Sequence, residues 1–178
     1  MPKLTIALKH DEILKKVAHA ARKISAKYQN KELILLGVLK GSFIFLSDLV
    51  RRLSIPAKID FIAVSSYGSS ASSSGKIRLT KHHDIEIKGK DILLVEDIID
   101  TGLTVSFIID YLQSFQPKSI KICTFIDKSE RRKVDIPIDF RCHAVKSGFF
   151  VGYGLDFAEE FRALPDLYCL NFNQRSIS

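Results

Sequence analysis

Apolar and polar positions along the chain follow two different periods. From Asp11 to about Tyr28, apolar residues recur at helical spacing with basic residues largely on the other faces, which predicts an amphipathic helix. Residues 32–39 (ELILLGVL) form a short, nearly continuous apolar run, as expected for a strand buried on both faces. Ser42 then stands where it could cap a second helix that runs through Leu53.

The same alternation continues through the middle of the chain. Residues 58–66 (KIDFIAVSS), 91–96 (DILLVE) and 119–127 (SIKICTFID) each predict a strand, and a helix is predicted from Thr104 to Phe115. Strands that alternate with helices are typical of a parallel sheet with right-handed crossovers. The predicted fold class is therefore α/β, a mostly parallel twisted sheet flanked by helices.

Two segments depart from this alternation. Residues 67–75 (YGSSASSSG) have almost no apolar content and predict a long flexible loop, either a disordered hairpin tip or a lid that closes over a reacting ligand. After Pro137, three short segments separated by turns predict a small appended hood or a sheet edge: IDFRCHAV, GFFVG and LYCLNF.

Composition limits the possible classes of protein. The 178 residues, 46% of them hydrophobic, suit one domain spanning residues 1–178. No run of ~18 apolar residues is present and charges occupy the start of the chain, so we expect a cytoplasmic protein without a membrane span. The net charge of +7 suits a nucleic-acid surface or a small polyanionic ligand equally well. Three cysteines with apolar neighbours predict buried thiols rather than disulfides or a zinc site: Cys123, Cys142 and Cys169.

Candidate chemistry is concentrated in residues 91–104 (DILLVEDIIDTGLT). Glu96, Asp97 and Asp100 are close enough to repel one another, and a chain that only needed to fold would gain nothing from this arrangement. The pattern predicts a strand that ends at Glu96, so residues 97–104 become the loop at the carboxyl end of a parallel strand, where α/β sheets bind ligands. The acids therefore indicate a ligand site.

The turn behind these acids predicts a phosphate site. Thr101, Gly102 and Thr104 offer backbone N–H groups and two hydroxyls at a helix N-terminus, and the glycine allows close approach of the ligand. No Walker sequence is present, and residues 152–157 (GYGLDF) lack the third glycine of a dinucleotide fingerprint, which argues against an ATPase or a dehydrogenase. A ribose 5-phosphate unit suits the whole segment, because Glu96 and Asp97 can accept hydrogen bonds from ring hydroxyls, directly or through Mg²⁺ and its waters.

Residues 95–104 (VEDIIDTGLT) resemble the phosphoribosyl-diphosphate motif of the type I phosphoribosyltransferases, and the Glu-Asp-Ile-Ile-Asp form resembles the hypoxanthine (hypoxanthine-guanine) phosphoribosyltransferases in particular. Further segments in the same order extend the resemblance over most of the chain: LKGS to the diphosphate loop, SSYG with SSGKIRL to the mobile catalytic loop, and FIDKSERR with FFVGYGLDF to the purine end. The resemblance implies the type I phosphoribosyltransferase fold.

It also implies a reaction, in which a purine base and phosphoribosyl diphosphate give the nucleoside monophosphate and diphosphate, with Mg²⁺. Asp100 is then the base near the purine N7, and repulsion from its two acidic neighbours would make it a better proton acceptor. The ribose and its 5′-phosphate are bound by residues of the motif: Glu96, Asp97, Asp100, Thr101, Gly102, Leu103 and Thr104.

The resemblance assigns the diphosphate to Lys40, Gly41 and Arg162, with a cis peptide at Leu39–Lys40. Metal binding falls to three carboxylates: Glu96, Asp97 and Asp156. Taken alone, Lys40 is a solvated loop lysine, and an Asp and Arg near a helix start could equally cap that helix and pair with Glu159.

The resemblance implies a C-terminal purine-binding segment at about residues 137–172, together with Lys128 before it. Lys128 would donate to the 6-oxo group, Phe149 would stack on the base, the Phe150 backbone would meet the base edge, and Asp156 completes the set. Without the motif, Lys128 is part of a charged turn and aromatic pairs are more often core. The loop of about residues 66–76, with Ser66 and Tyr67, closes over the site and excludes water.

Several points remain open at this stage. Many relatives have Val where this chain has Phe150, which leaves the choice between hypoxanthine and guanine undecided. A phosphoribosyltransferase for xanthine or adenine is an alternative, as is a regulator that binds RNA, although no arginine cluster with interleaved aromatics supports nucleic-acid binding. The family resemblance implies a homodimer or homotetramer, and His82 and His83 are expected to be exposed.

Overall fold

The structure is a computed structural model that describes residues 3–67 and 76–171, and these form two sheets and three helices. The elements follow the chain in this order: β1 (Lys3–Leu8), α1 (His10–Lys27), β2 (Leu33–Leu39), α2 (Phe43–Val50), β3 (Ala57–Tyr67), β4 (Lys76–Lys81), β5 (Asp91–Ile99), α3 (Leu103–Gln113), β6 (Ser119–Lys128), β7 (Phe140–Val145), β8 (Phe150–Val151) and β9 (Leu167–Asn171).

The main sheet has six strands in the order β4-β3-β2-β5-β6-β7, and only β4 runs antiparallel to its neighbour. A second, antiparallel sheet of order β1-β9-β8 forms the hood. The predicted α/β class and mostly parallel sheet are therefore confirmed. The sequence pattern did not indicate that β1 belongs to the hood, because its pairing with β9 joins residues more than 150 positions apart.

Two boundaries differ from those predicted, and the first difference affects the site. β5 continues to Ile99 instead of ending at Glu96, because Ile98 and Ile99 still pair with β6. The connection to α3 is thus only residues 100–102. The second helix ends at Val50 rather than Leu53.

Ser42 precedes this helix, as expected, but its side chain does not cap it. The Ser42 hydroxyl donates instead to the carbonyl of Val38, at 2.7 Å.

The apolar core lies on both faces of the main sheet. Helices α1 and α2 cover one face, with Ile13, Val17 and Phe45 fully buried. Helix α3 covers the other face through Val105, Ile108 and Leu112. Because both faces are covered, apolar residues are buried on both sides of the central strands, which explains the continuous apolar runs in β2 and in the first half of β5.

Some predictions of burial need correction. Cys123 is buried, but Cys142 and Cys169 are only half-buried, and all three thiols are free. His82 is exposed as expected, whereas His83 is half-buried because its ring packs edge-on against Phe115, with 4.7 Å between the ring centroids. None of the helices in the described part of the chain is long and apolar enough to cross a membrane.

A buried hydrogen bond connects the hood side of the chain to α2. The Tyr153 hydroxyl donates to Asp48 Oδ2 at 2.8 Å, and Arg51 donates to the other carboxylate oxygen at 2.6 Å. Burial acts to raise the pKa of Asp48, but these hydrogen bonds and the charge of Arg52 outweigh burial and hold that pKa below its ordinary value. Asp48 therefore stays ionised and fully bonded inside the fold.

Tyr153→Phe removes this hydrogen bond while the aromatic ring and the two arginine partners of Asp48 remain. We expect the free energy of unfolding to fall by about 1.5–3 kcal/mol, the usual range for a hydrogen bond to a charged group. Urea unfolding at pH 7 measures the change. Tyr168→Phe is the matched control, since its longer contact of 3.3 Å to Asp166 should contribute less; equal losses in both variants would contradict the role of the Tyr153 bond.

Candidate active site

The carboxyl ends of β2 and β5 and the N-terminus of α3 surround a cavity of about 320 Å³. Ten of the residues selected from the sequence line it: Lys40, Gly41, Glu96, Asp97, Asp100, Thr101, Gly102, Thr104, Asp156 and Arg162. Leu103 begins α3 but is not among the lining residues. The parallel register brings these residues together from segments more than 50 positions apart, as expected for the carboxyl edge of an α/β sheet.

The first two acids of the motif have different environments. Glu96 is buried, with 6% of its surface exposed, whereas Asp97 is half-buried. Burial, reinforced by the negative charge of Asp97, holds the pKa of Glu96 well above its ordinary value. The backbone N–H of Asp97 also donates to Glu96 Oε1 at 3.2 Å, which holds the Glu96 side chain against the backbone of its acidic neighbour.

The loop after β2 lies directly against the Asp97 side chain. A Cβ atom at Gly41 would lie 1.7 Å from Asp97 Oδ2, so only glycine leaves space for the carboxylate. The Leu39–Lys40 peptide that precedes it is cis, as the family resemblance implied. The predicted diphosphate loop and the predicted ribose site are therefore in contact.

The predicted phosphate cradle has the geometry of a helix N-terminus. Gly102 is the N-cap of α3 with φ +83°, a left-handed conformation that favours glycine, and a Cβ atom there would approach the carbonyl oxygen of Val134 to 2.8 Å. The carbonyl of Thr101 accepts hydrogen bonds from the N–H groups of Lys133 and Val134. These contacts fix the turn, and Thr101, Gly102 and Thr104 line the cavity at a helix N-terminus, whose first N–H groups have no partner within the helix.

Asp100 lies between two basic side chains. Its Oδ2 atom is 3.5 Å from Lys128 Nζ and 3.5 Å from Arg131 Nη1. Its Oδ1 atom is buried and has no hydrogen-bond partner among the described residues. The charged groups that contact Asp100 are therefore cations, whereas repulsion between neighbouring acids acts on Glu96.

A second cavity, of about 210 Å³, adjoins the first and contains the predicted purine residues. Lys128, Phe149 and Phe150 line it, and Asp97, Asp100 and Asp156 line both cavities. Phe149 is 42% exposed and meets Phe157 edge-on, with 5.6 Å between the ring centroids. Lys128 is buried, with 7% of its surface exposed, which excludes the charged surface turn considered for it above.

Lys40 and Arg162, the residues predicted to bind diphosphate, are both paired with the exposed carboxylate of Glu159. Lys40 Nζ lies 2.9 Å from Glu159 Oε2, and Arg162 lies 3.6 Å from the same atom. Arg162 also contacts Asp156 at 2.8 Å and donates to the carbonyl of Gly154. The pairing with Glu159 considered from the sequence is therefore present, although residues 156–162 form turns and not a helix.

Sequence reasoning missed two residues near the site. Arg131 lines the second cavity and contacts Asp100, and Arg132 binds the backbone of the same loop. In the sequence both belong to a charged run after Lys128, and adjacent arginines carry no spacing signal that would separate them. The predicted mobile loop, residues 66–76, falls mostly outside the described part of the chain, as do the side chains of Ser66 and Tyr67.

Comparison with known proteins agrees with this geometry. Residues 5–158 match the model of the phosphoribosyl transferase domain. The chain is 47% identical to the hypoxanthine-guanine phosphoribosyltransferase of Aquifex aeolicus, over 93% of this chain and 94% of the relative, and 43% identical to the hypoxanthine phosphoribosyltransferase of Salmonella typhimurium, over 86% and 88%. The crystal structure of a Bacillus anthracis hypoxanthine-guanine phosphoribosyltransferase superimposes with a TM-score of 0.89 at 40% identity, covering 95% of this chain and 99% of that one.

The chain therefore belongs to the phosphoribosyltransferase family and, within it, to the hypoxanthine and hypoxanthine-guanine phosphoribosyltransferases. The predicted type I fold and the resemblance drawn from the motifs are confirmed.

Glu96→Gln removes a carboxyl group whose charged form is opposed by burial. A group whose pKa is higher in the folded state than in the unfolded state costs stability once the pH rises above its ordinary value of ~4.3. We therefore expect the variant to be more stable than the parent at pH 8, by about 1 kcal/mol or ~2–4 °C in Tm, and to lose this advantage at pH 4.

Thermal unfolding at both pH values measures the difference. Glu86→Gln is the control, because Glu86 is exposed and its substitution should leave Tm nearly unchanged at either pH. A Tm difference for the Glu96 variant that is the same at pH 4 and pH 8 would show that burial does not act on the charge of Glu96.

Proposed function

We propose that Asp100 is the proton acceptor in the reaction that this family catalyses. In that purine-salvage reaction, the 5-phosphoribosyl group passes from phosphoribosyl diphosphate to hypoxanthine, giving inosine monophosphate and diphosphate. Guanine is a second substrate in the proposal, since relatives of both names are similar to this chain. The observation that carries the proposal is the pair formed by Asp100 and Lys128 at the junction of the two cavities.

This pair matches one edge of a 6-oxopurine. The N7 and O6 atoms of such a base lie side by side on the same edge. Lys128 can only donate, which suits O6, and the carboxylate of Asp100 can accept a proton from N7. Their side chains are 3.5 Å apart, close enough to contact neighbouring atoms of one base, and Oδ1 of Asp100 has no hydrogen-bond partner among the described residues.

Proton removal is needed because the base loses a proton as the new glycosidic bond forms. A carboxylate held within hydrogen-bond reach of that proton supplies general base catalysis. A positioned side chain of this kind typically increases the rate on the order of 10²–10⁴-fold. Phe149 would stack on the face of the base, and the backbone of Phe150 would meet its other edge. Phe150 would then shape the pocket near the purine 2-position.

The ribose and its phosphates extend into the larger cavity. The N-terminus of α3, with Thr101, Gly102 and Thr104, would bind the 5′-phosphate, and Glu96 and Asp97 would bind the ring hydroxyls. Lys40 and Arg162 would bind the diphosphate. Both cations are paired with the exposed Glu159 in the structure, and Arg162 also with Asp156, so the incoming polyanion has to compete with these carboxylates. Its greater charge favours the exchange.

Mg²⁺ belongs to the same proposal, and the donor atoms of the site fit it. Asp97 and Asp156 present carboxylate oxygens at the junction of the cavities. Across residues 3–67 and 76–171, no three His, Cys, Asp or Glu side chains are grouped to hold a metal by themselves. This suits Mg²⁺, which proteins usually bind through one or two carboxylates together with substrate phosphates. When bound, the ion would neutralise charge on the departing diphosphate.

The smaller assignments in the proposal follow the family. Glu96 is included as a ligand of the ribose and its metal, and Leu103 as part of the phosphate turn. Ser66 and Tyr67 are assigned to the loop that covers the reacting ribose. The assembly is proposed to be a homodimer or homotetramer.

Steady-state turnover tests the substrate class. We expect Mg²⁺-dependent formation of nucleotide from phosphoribosyl diphosphate with hypoxanthine or guanine, and at least 10²-fold lower kcat/KM with adenine, because an amino group opposite Lys128 leaves two donors facing each other. Chromatography of the products with four bases, with and without chelator, gives the comparison. Equal turnover of adenine and hypoxanthine would refute the pairing of Lys128 with the 6-oxo group.

Asp100→Asn tests the proton acceptor. The amide keeps the size of the side chain but cannot take up a proton, so kcat should fall by roughly 10²–10⁴-fold while the folded state is retained. Asp110→Asn on the exposed face of α3 is the matched control and should keep parental kcat. If the Asp100 variant keeps more than about a tenth of the parental kcat with an unchanged pH profile, Asp100 is not the base.

A further inference from the structure

Arg132 holds together two backbone segments that do not otherwise belong to one element. Its side chain is only 19% exposed. Nε donates to the carbonyl of Asp100 at 2.9 Å, and Nη2 lies 3.0 Å from the carbonyl of Ile99 and 3.0 Å from that of Lys128. The same Nη2 contacts Asp127 Oδ1 at 2.7 Å. One guanidinium thus binds the end of β5 and the end of β6.

These are the two strand ends that carry the proton acceptor and the purine donor. The side chains of Asp100 and Lys128 contact each other at 3.5 Å, the outer limit of a hydrogen bond, so their own contact does little to fix their separation. Beyond Ile99 the ladder between β5 and β6 has ended, and Asp100 lies in the connection to α3. The guanidinium supplies backbone hydrogen bonds at the point where the sheet no longer does.

We propose that Arg132 is a positioning residue that sets the distance between Asp100 and Lys128 and so aligns the acceptor and the donor with one edge of the base. The inference rests on the roles proposed above for those two residues. Arginine suits the task because its rigid planar fork can bind several carbonyl groups at once, which a lysine ammonium on a flexible chain does less well.

The charge of Arg132 is balanced away from the base. Asp127 accepts from Arg132 through Oδ1 and from Arg141 through Oδ2, the latter at 2.8 Å. Arg141 makes this contact from an exposed position, 58% exposed, and the structure gives it no hydrogen bond to Asp100 or Lys128 within the described residues. The two arginines therefore share one carboxylate, but only Arg132 binds the catalytic segment.

This difference provides a matched pair of variants. We expect Arg132→Lys to lower kcat/KM for hypoxanthine roughly 10-fold and Arg132→Ala roughly 100-fold, because displacing reacting groups by about 1 Å costs on that order. Arg141→Lys should stay within about 2-fold of the parent. The Kd of phosphoribosyl diphosphate, measured by calorimetry, should change less than about 3-fold in all three variants, since the phosphate turn is also held through the Thr101 carbonyl.

A double-mutant cycle separates positioning from general support of the fold. If Arg132 acts through Asp100, Arg132→Lys in the Asp100→Asn background should lower the residual kcat/KM less than about 2-fold. If Arg132→Ala unfolds at the assay temperature, the test rests on Arg132→Lys. If Arg132→Ala folds, added guanidinium ion should restore part of its lost rate.

Three results would overturn the inference: parental kcat/KM in Arg132→Lys, a full additive loss in the Asp100→Asn background, or equal losses in the Arg132 and Arg141 variants. The proposed function fails separately, through an active Asp100→Asn variant or the absence of turnover in the parent protein.

Discussion

The placement of β5 between β2 and β6 is the constraint on which the site depends. Val95 pairs with Gly37 on one side and with Cys123 on the other, so the acids that follow emerge beside the β2 loop and beside the end of β6 at the same edge. A shift of one residue in this register would turn every side chain of β5 to the opposite face of the sheet. Glu96 and Asp97 would then exchange faces, and the contact between Asp97 and Gly41 would be lost.

Glu96 and Asp100, two acids of the same short segment, have opposite electrostatic environments. Glu96 is the acid nearest the core, and its burial raises its pKa above the ordinary value. A few residues later, Asp100 is surrounded by Lys128 and Arg131. Within one short segment, the fold therefore holds one carboxyl group that favours its neutral form and another beside two cations. Such contrast between neighbouring acids is typical of functional sites, where stability is lowered in exchange for binding or chemistry.

The backbone of the site is held by side chains and loops from outside the motif. The N–H groups of Lys133 and Val134 bind Thr101, Arg132 binds Asp100, and the close approach of Gly102 to Val134 leaves no space for a side chain. The segment after β6 therefore acts as a support for the loop after β5. Lys40 and Arg162, the two cations proposed to bind diphosphate, both pair with the exposed carboxylate of Glu159.

Much of this protein could be predicted from the sequence. The apolar runs of β2 and β5, the helical spacing of α1 and the motif at residues 95–104 identify the α/β class, the carboxyl edge and the family, because these signals depend on residues close together in the chain. The burial of Lys128 and Glu96, the attachment of β1 to the hood, the half-exposed Cys142 and the contacts of Arg132 could not be read in the same way. They depend on residues brought together from distant segments, and only packing in three dimensions determines which groups lose water and which charges meet.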